Sequence, residues 1–180
     1  RGVCLVIGSG DGRLAWELAL QSELRVIGVD TDEEKVATAR KAILETGDYG
    51  RRVAFHHVDS YAKLPFVGRF ANLIVSENVI TTGEPTGDAK ELLRVLRPDG
   101  GFVCLGQPGG DPVDFDADRL KEWLTPTGLD IQTSRGNDGT WLTAVRPPLE
   151  GAGDWSHLYG RADNSAFGGE SLGGASTTDE

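Results

Sequence analysis

Residues 3–12 read Val-Cys-Leu-Val-Ile-Gly-Ser-Gly-Asp-Gly, an apolar run that ends in glycines at alternate positions. The first five of these residues are all apolar, which suits a parallel strand that is covered on both faces. Residues 13–20 then switch to the apolar spacing of an amphipathic helix. The stretch therefore predicts a strand, a glycine turn and a helix, in that order.

The glycine turn is a candidate nucleotide-cofactor site. Such a turn brings backbone N–H groups and a helix N-terminus close to a ligand, and side chains at positions 8, 10 and 12 would block that approach. Residues 25–30 form a second apolar run that ends on Asp30, whose carboxylate is placed to accept hydrogen bonds from ribose hydroxyls. Two alternatives stay open: a tight turn that only packs the helix on the sheet, and an Asp30 that caps the following helix.

The spacing of the glycines separates two cofactor classes. The dinucleotide fingerprint requires glycine or alanine where this chain has Arg13, so a dehydrogenase is disfavoured. The run Gly8-Ser9-Gly10-Asp11-Gly12 instead resembles the first motif of the class I S-adenosylmethionine-dependent methyltransferases. Residues 26–32, Val-Ile-Gly-Val-Asp-Thr-Asp, resemble the second motif of that family.

The resemblance continues in the family's order over about residues 2–146. Residues 53–60 resemble the third strand with its terminal acid, residues 70–78 the fourth strand, and residues 93–105 the helix, turn and fifth strand that follow. This resemblance implies an α/β fold with a Rossmann-like doubly wound sheet. Its seven strands would lie in the order 3-2-1-4-5-7-6, with strand 7 antiparallel.

Hydrophobic patterning predicts the same alternation of strands and helices. The predicted strands cover residues 3–7, 25–30, 53–58, 70–76, 101–106, 129–134 and 140–146, and the predicted helices cover 12–21, 32–45, 86–96 and 116–125. Asn-Asp-Gly at 137–139 indicates a hairpin between the last two strands. Cys4 and Cys104 fall inside apolar runs, so we expect both to pack as core residues.

The resemblance implies S-adenosylmethionine as the cofactor and assigns residues to its parts. The three glycines would approach its carboxypropyl end, Asp30 its ribose, and Asp59 with Ser60 its adenine. The alternative for Asp59 is an ordinary loop acid. The expected cofactor-binding residues are Gly8, Ser9, Gly10, Asp11, Gly12, Asp30, Thr31, Asp59, Ser60 and Ser76. No metal site is predicted, because the chain has only three histidines and no Cys-x-x-Cys spacing.

The acceptor side of the site is less defined. Methyl transfer needs the donor methyl in line with a nucleophile, exclusion of water and, for a protonated acceptor, a base. Glu77 stands where a base could be, although a solvated loop acid is the favoured interpretation. Many nitrogen-methylating relatives carry two prolines and an aromatic residue after the fourth strand, and residues 76–79 lack that set. Asn72 occupies a position that is often aspartate in the family.

Charge narrows the range of partners. A formal net charge of −10 and a pI near 4.7 argue against a nucleic-acid backbone as the main partner. We therefore expect a small molecule or a protein side chain as the methyl acceptor. No stretch approaches the roughly 20 apolar residues of a membrane span. Because S-adenosylmethionine is a cytosolic cofactor, we expect a cytoplasmic location.

The composition changes after residue 146. We expect a methyltransferase-like domain over residues 1–148, without the helices that precede the first strand in the family, and a Gly/Ser-rich linker over residues 149–180. Residues 154–165, Asp-Trp-Ser-His-Leu-Tyr-Gly-Arg-Ala-Asp-Asn-Ser, resemble the entry segment of quinoprotein-like β-propellers. Such propellers are frequently exported, which is the alternative location. The alternative function is a non-catalytic methyltransferase-like module for binding or scaffolding within a larger propeller protein.

Overall fold

A computed structural model describes residues 2–110, 115–153 and 169–171. The strands are β1 (Gly2–Ile7), β2 (Leu24–Asp30), β3 (Val53–His57), β4 (Leu73–Ser76), β5 (Phe102–Pro108), β6 (Ile131–Gly136) and β7 (Gly139–Val145). The helices are α1 (Arg13–Gln21), α2 (Glu33–Leu44), α3 (Glu77–Thr82), α4 (Ala89–Val95) and α5 (Ala117–Leu124), and a 3₁₀ turn follows at Thr125–Thr127. The backbone divides into two compact units, residues 1–146 and 147–180.

The strands form one seven-stranded sheet in the order β3-β2-β1-β4-β5-β7-β6. β1 to β5 pair in parallel, and β7 runs antiparallel to both of its neighbours. The predicted fold class and strand order are confirmed. The predicted hairpin is also present, since Gly136 and Gly139 form the last pair of β6 and β7 and enclose Asn137 and Asp138.

Each face of the sheet carries its own hydrophobic core. On one face α1 and α2 cover β1 to β3. Phe55 of β3 is fully buried in the core between these helices and the sheet. On the other face α4 and α5 contribute Leu92, Val95, Leu120 and Leu124 to the second core. The continuous apolar runs of the inner strands are explained by this two-sided burial.

Helix α3 was not predicted, because residues 77–82 were assigned to the end of the fourth strand and a loop. The side chain of Ser76 accepts a hydrogen bond from the N–H of Val79 at the start of α3, and Gly83 ends it in the left-handed conformation with φ 75°. A six-residue helix is too short to show an apolar period. Its detection from sequence would have required the serine cap and the glycine stop to be combined.

The fourth strand begins later than predicted, at Leu73. Asn72 still takes part in sheet bonding, since its N–H donates to the carbonyl oxygen of Val3 and its own carbonyl oxygen accepts from the N–H of Phe102. The side-chain Oδ1 of Asn72 accepts from the N–H of Val3 at 2.9 Å. The asparagine at this family position therefore joins the start of β4 to β1.

Cys4 is buried as predicted, and Cys104 is half-buried. Burial raises the pKa of the Cys4 thiol to about 12, so this thiol stays protonated near neutral pH. Among the described residues, no group of His, Cys, Asp and Glu is arranged to hold a metal ion. No helix in the described ranges has the length and apolar character needed to cross a bilayer. The predicted propeller segment, residues 154–165, lies outside the described residues.

Candidate functional site

The predicted site residues meet where the order of the strands reverses. β1 and β4 are neighbours, and the sheet continues through β2 on one side and β5 on the other. Ligands of open α/β sheets bind beyond the carboxyl ends of the strands at such a point. Ile7, the last residue of β1, pairs with Ser76, the last residue of β4. The glycine loop, residues 8–12, therefore meets the start of α3.

The glycine loop packs against protein atoms at two of its glycines. Gly8 and Gly12 have φ angles of 63° and 87°, which glycine adopts without a steric cost. A Cβ atom on Gly8 would lie 2.3 Å from Cγ of Asn78, and one on Gly12 would lie 2.6 Å from Cζ of Phe55. Packing within the protein thus requires glycine at both positions, in addition to any demand from a ligand.

Asp30 joins the glycine loop to β2. Its side chain is buried, its Oδ2 accepts from the N–H of Gly10 at 2.9 Å, and its Oδ1 accepts from the N–H of Asp32 at 3.0 Å. The helix α2 is capped by Asp32 and not by Asp30, because Oδ1 of Asp32 accepts from the N–H groups of Glu34 and Lys35. Each carboxylate oxygen can accept more than one hydrogen bond, so Asp30 retains capacity for a ribose hydroxyl.

Tyr61 is a residue of this region that the sequence analysis missed. Its hydroxyl accepts a hydrogen bond from the N–H of Thr31 at 3.2 Å, directly beside Asp30. Burial raises the pKa of Tyr61, so the phenol stays protonated at neutral pH and remains a hydrogen-bond donor. A Cβ on Gly87 would lie 2.7 Å from Cβ of Tyr61, which shows how closely the loop after α3 approaches the backbone of this residue. No motif spacing marked this tyrosine.

Asp59 and Ser60 lie at the surface immediately after β3. The N–H of Val58 donates to the carbonyl oxygen of Asp30 at 3.0 Å, which brings this segment beside the end of β2. The hydroxyl of Ser60 accepts from the N–H of Ala62 at 3.1 Å. Both side chains are exposed to solvent and accessible to a ligand.

The two predicted serines of the loop region are buried. Oγ of Ser76 donates to the carbonyl oxygen of Ile7 at 3.2 Å and accepts from the N–H of Val79 at 3.3 Å, so it links β1, β4 and α3. Oγ of Ser9 is buried without a hydrogen-bond partner among the described residues. Ser76 therefore has a structural role, whereas the hydroxyl of Ser9 has an unmet hydrogen-bonding capacity.

Glu77 is not a solvated loop acid. It is the first residue of α3 and is half-buried, and its Oε2 is buried with no hydrogen-bond partner among the described residues. A Cβ on Gly10 would lie 3.3 Å from Oε1 of Glu77. Burial raises the pKa of Glu77 to about 7, with further upward contributions from Asp11 and Asp30 and an opposing one from Lys35. The weak candidate of the sequence analysis thus lies directly over the glycine loop.

The two adjacent histidines of β3 have different partners. The ring of His56 packs edge-to-face on Phe66 at 5.8 Å between ring centroids, and burial followed by the charge of Arg40 lowers the pKa of His56. Nε2 of His57 lies 3.2 Å from the carbonyl oxygen of Thr31. His56 therefore packs on an aromatic ring of the segment that follows β3.

Cavities flank α3 and the glycine loop. One of about 240 Å³ is lined by Arg13, Leu14, Glu17, Glu77, Ile80 and Thr81. A second of about 190 Å³ shares Leu14 and Ile80 with it and adds an apolar floor that includes Val75 and Trp141. A cavity of about 460 Å³ lies at the amino ends of β1 and β2, beside Arg25 and Arg51, and contains none of the predicted site residues.

Comparison with known proteins adds a family and a set of similar folds. The model of a family described as the methyltransferase domain matches residues 4–100, which include the glycine loop, Asp30, Asp59 and Glu77. No curated protein matches the chain.

Solved structures share the fold at low sequence identity. A proposed S-adenosyl-L-methionine-dependent methyltransferase of Methanococcus maripaludis is 22% identical, with a TM-score of 0.69 over 82% of this chain and 78% of that one. The [4+2]-cyclase SpnF is 19% identical, with a TM-score of 0.66 over 82% and 76% of the two chains. Phosphoethanolamine N-methyltransferase 2 of Haemonchus contortus, solved with S-adenosylhomocysteine, is 17% identical, with a TM-score of 0.62 over 81% and 49%. At these identities the likeness concerns the fold.

Proposed function

Because this chain belongs to the methyltransferase domain family, we propose that it transfers the methyl group of S-adenosylmethionine to a small molecule or a protein side chain. Family membership confirms the predicted enzyme class and its cofactor. The cofactor-binding residues and the acceptor are proposals. The observation that carries them is the meeting of the glycine loop, Asp30 and Glu77 at the switch point of the sheet. We call this meeting point the crevice.

The chemistry of the crevice suits the charge of this cofactor. S-adenosylmethionine carries a permanent positive charge on sulfur and an ammonium group at its amino-acid end. The crevice presents the carboxylates of Asp11, Asp30 and Glu77, and one oxygen of Glu77 is buried with no partner in the described part of the chain. Opposite charges at such separations attract, and partial burial weakens the screening by water. A cationic ligand would therefore relieve the repulsion among these acids.

We assign the parts of the cofactor to this chain's residues as follows. The backbone of the glycine loop, with the unpaired hydroxyl of Ser9, would hold the carboxypropyl end. Asp30 would accept from the ribose, with Thr31 and Tyr61 beside it. The exposed Asp59 and Ser60 would face the adenine. Ser76 would act indirectly, by fixing the start of α3 and hence the position of Glu77.

The cofactor supplies an activated methyl group when bound, so the protein's contribution is mainly to position the donor and acceptor and to exclude water. Glu77 is the candidate base, because its raised pKa of about 7 suits a group that accepts a proton near neutral pH. An acceptor that is already deprotonated would not need to transfer a proton to Glu77. The net charge of −10 disfavours nucleic acid as the acceptor.

Calorimetric titration with S-adenosylmethionine, S-adenosylhomocysteine and NAD tests the proposal. We expect the first two to bind and NAD not to bind. Asp30→Ala and Gly10→Val should each weaken binding at least about tenfold, which corresponds to about 1.4 kcal/mol. Asp130→Asn, a change at an exposed acid in the loop before β6, is the matched control. Binding of NAD alone would overturn the proposal.

The second candidate function is a methyltransferase-like module without catalysis. One observation favours it: both oxygens of Asp30 already accept backbone hydrogen bonds, so the glycine loop is held in place by the protein itself. We retain the predicted boundary at residues 148–149, the β-propeller after it and the cytoplasmic location only as proposals from sequence. Cofactor binding without transfer to any acceptor in a labelled-methyl screen would favour this second function.

A further inference from the structure

We infer that Glu77 makes the crevice sensitive to the charge on the cofactor's sulfur. The crevice then binds S-adenosylmethionine more tightly than S-adenosylhomocysteine, and Glu77 releases a proton when the positively charged ligand binds. This inference rests on the proposed cofactor site and deepens it. The two ligands share the adenosine and the amino-acid end and differ by one methyl group. That methyl group gives sulfur a positive charge, which is lost when the methyl group is transferred.

The carboxylate of Glu77 is held in a defined position. Ser76 fixes the first turn of α3 through its hydrogen bond with the N–H of Val79. In the middle of this short helix, Nε2 of the buried Gln107 donates to the carbonyl oxygens of Val79 and Ile80, at 3.2 and 2.9 Å. The start and the middle of α3 are therefore fixed to the sheet. Glu77 cannot leave the glycine loop by a simple shift of its helix.

The elements around Glu77 leave its negative charge poorly compensated. Asp11 of the glycine loop and Asp30 of β2 repel it, and Lys35 of α2 attracts it more weakly. Arg13 and Glu17 of α1 line the same cavity, and their formal charges cancel. Together with the burial of Oε2, this leaves a carboxyl group that is close to half-protonated at neutral pH.

A nearby positive charge lowers the pKa of such a carboxyl group, and by linkage the cation binds more tightly as the group ionises. S-adenosylmethionine should therefore displace the proton of Glu77, which leaves to the buffer. S-adenosylhomocysteine has no charge on sulfur and should displace less. After methyl transfer the crevice would take the proton back, and the product would be held less tightly than the substrate.

The first test uses the unmodified protein. Titrations with each ligand at pH 7, in two buffers of different ionisation enthalpy, give the number of protons released. We expect a larger release with S-adenosylmethionine than with S-adenosylhomocysteine. The ratio of the two affinities should rise about tenfold from pH 6 to pH 8, because the ionised fraction of a group with pKa about 7 rises by that factor. Equal proton release and a constant ratio would overturn the inference.

The second test separates Glu77 from the ligands, whose own amino groups also titrate near this range. Glu77→Gln should abolish the difference in proton release and lower the affinity ratio about tenfold, while the affinity for S-adenosylhomocysteine stays within about twofold. Asp130→Asn, at an exposed acid before β6, is the control and should leave the ratio unchanged. An unchanged ratio in Glu77→Gln contradicts the inference. Failure of both ligands to bind the unmodified protein would instead contradict the proposed function.

Discussion

At the residue scale, Asp30 determines the shape of the crevice. Its buried carboxylate accepts from the N–H groups of Gly10 and Asp32, one on each oxygen. These two bonds join the glycine loop after β1 to the turn that precedes α2. The sequence predicts that Asp30 accepts hydrogen bonds from a ligand. The structure adds that the same acid organises the backbone on which the ligand would lie.

Asp30→Asn should destabilise the protein although it preserves size. The amide can offer only one acceptor oxygen, so its NH₂ group would face one of the two backbone N–H donors. We expect a loss of about 1–3 kcal/mol in the free energy of unfolding, measured by urea titration. Asp130→Asn, at an exposed position, should change it by less than about 0.5 kcal/mol. Equal effects of the two substitutions would contradict the role given to Asp30.

Gly12→Ala should cost more stability than Gly47→Ala. Both glycines have positive φ, 87° and 78°, so both substitutions carry a similar backbone strain. A Cβ on Gly47 meets nothing within 4 Å, whereas one on Gly12 would lie 2.6 Å from Phe55. The overpacking should add about 1–3 kcal/mol for Gly12→Ala, again from urea unfolding. Phe55→Leu should recover part of that difference in the double mutant, and a purely additive result would contradict the clash.

At the element scale, the start of α3, the helix that follows β4, lies over the glycine loop that follows β1. Its six residues include Glu77 and Asn78, and its position depends on Ser76 at its start and on Gln107, which contacts its middle. The strands were predictable because each is a continuous apolar run between turn residues. Helix α3 was not, because it is too short to show an apolar period. Its position also depends on a contact with β5, 28 residues away in the chain.

Gln107→Leu should destabilise α3 locally and leave the sheet intact. The change leaves the carbonyl oxygens of Val79 and Ile80 without the amide that they accept from. The carbonyl oxygen of Val79 keeps the N–H of Gly83 as a donor, so the loss falls mainly on Ile80. An unsatisfied buried group costs about 1–3 kcal/mol. Hydrogen exchange of residues 77–83 should therefore accelerate selectively, while amides of β1 keep their protection. Gln132→Leu, on the edge strand β6, is the control, and uniform acceleration across the sheet would contradict a local role.

At the scale of the whole molecule, the fold follows from sequence patterns that act locally and the site follows from contacts that do not. Apolar runs and turns specify the seven strands, and the positions of Asp30 and the glycine loop follow from them. The burial of Glu77 and the approach of Tyr61 to Thr31 arise only when distant segments meet. The sequence therefore predicts that Glu77 follows the fourth strand, but it does not predict the protonation state of the Glu77 carboxyl group.

The raised pKa of Glu77 predicts a pH dependence of overall stability. A carboxyl whose pKa is higher in the folded state binds more protons there, so its contribution to stability is lost as pH rises from the ordinary value of 4.5 through about 7. Urea unfolding at pH 5 and pH 8 should show a smaller decline for Glu77→Gln than for the unmodified protein. Asp130→Asn, at an exposed acid before β6, should show the same decline as the unmodified protein. Parallel declines for all three would contradict the shift.

The central claim is that S-adenosylmethionine binds in the crevice at the switch point of the sheet. Backbone NMR of the isotope-labelled chain, titrated with S-adenosylmethionine, tests this claim most directly. We expect the amide signals of Gly10, Asp11, Thr31 and Glu77 to move, while that of Gly47, at the end of α2, stays in place. Shifts confined to the cavity beside Arg25 and Arg51, or no shifts at saturating ligand, would contradict the account.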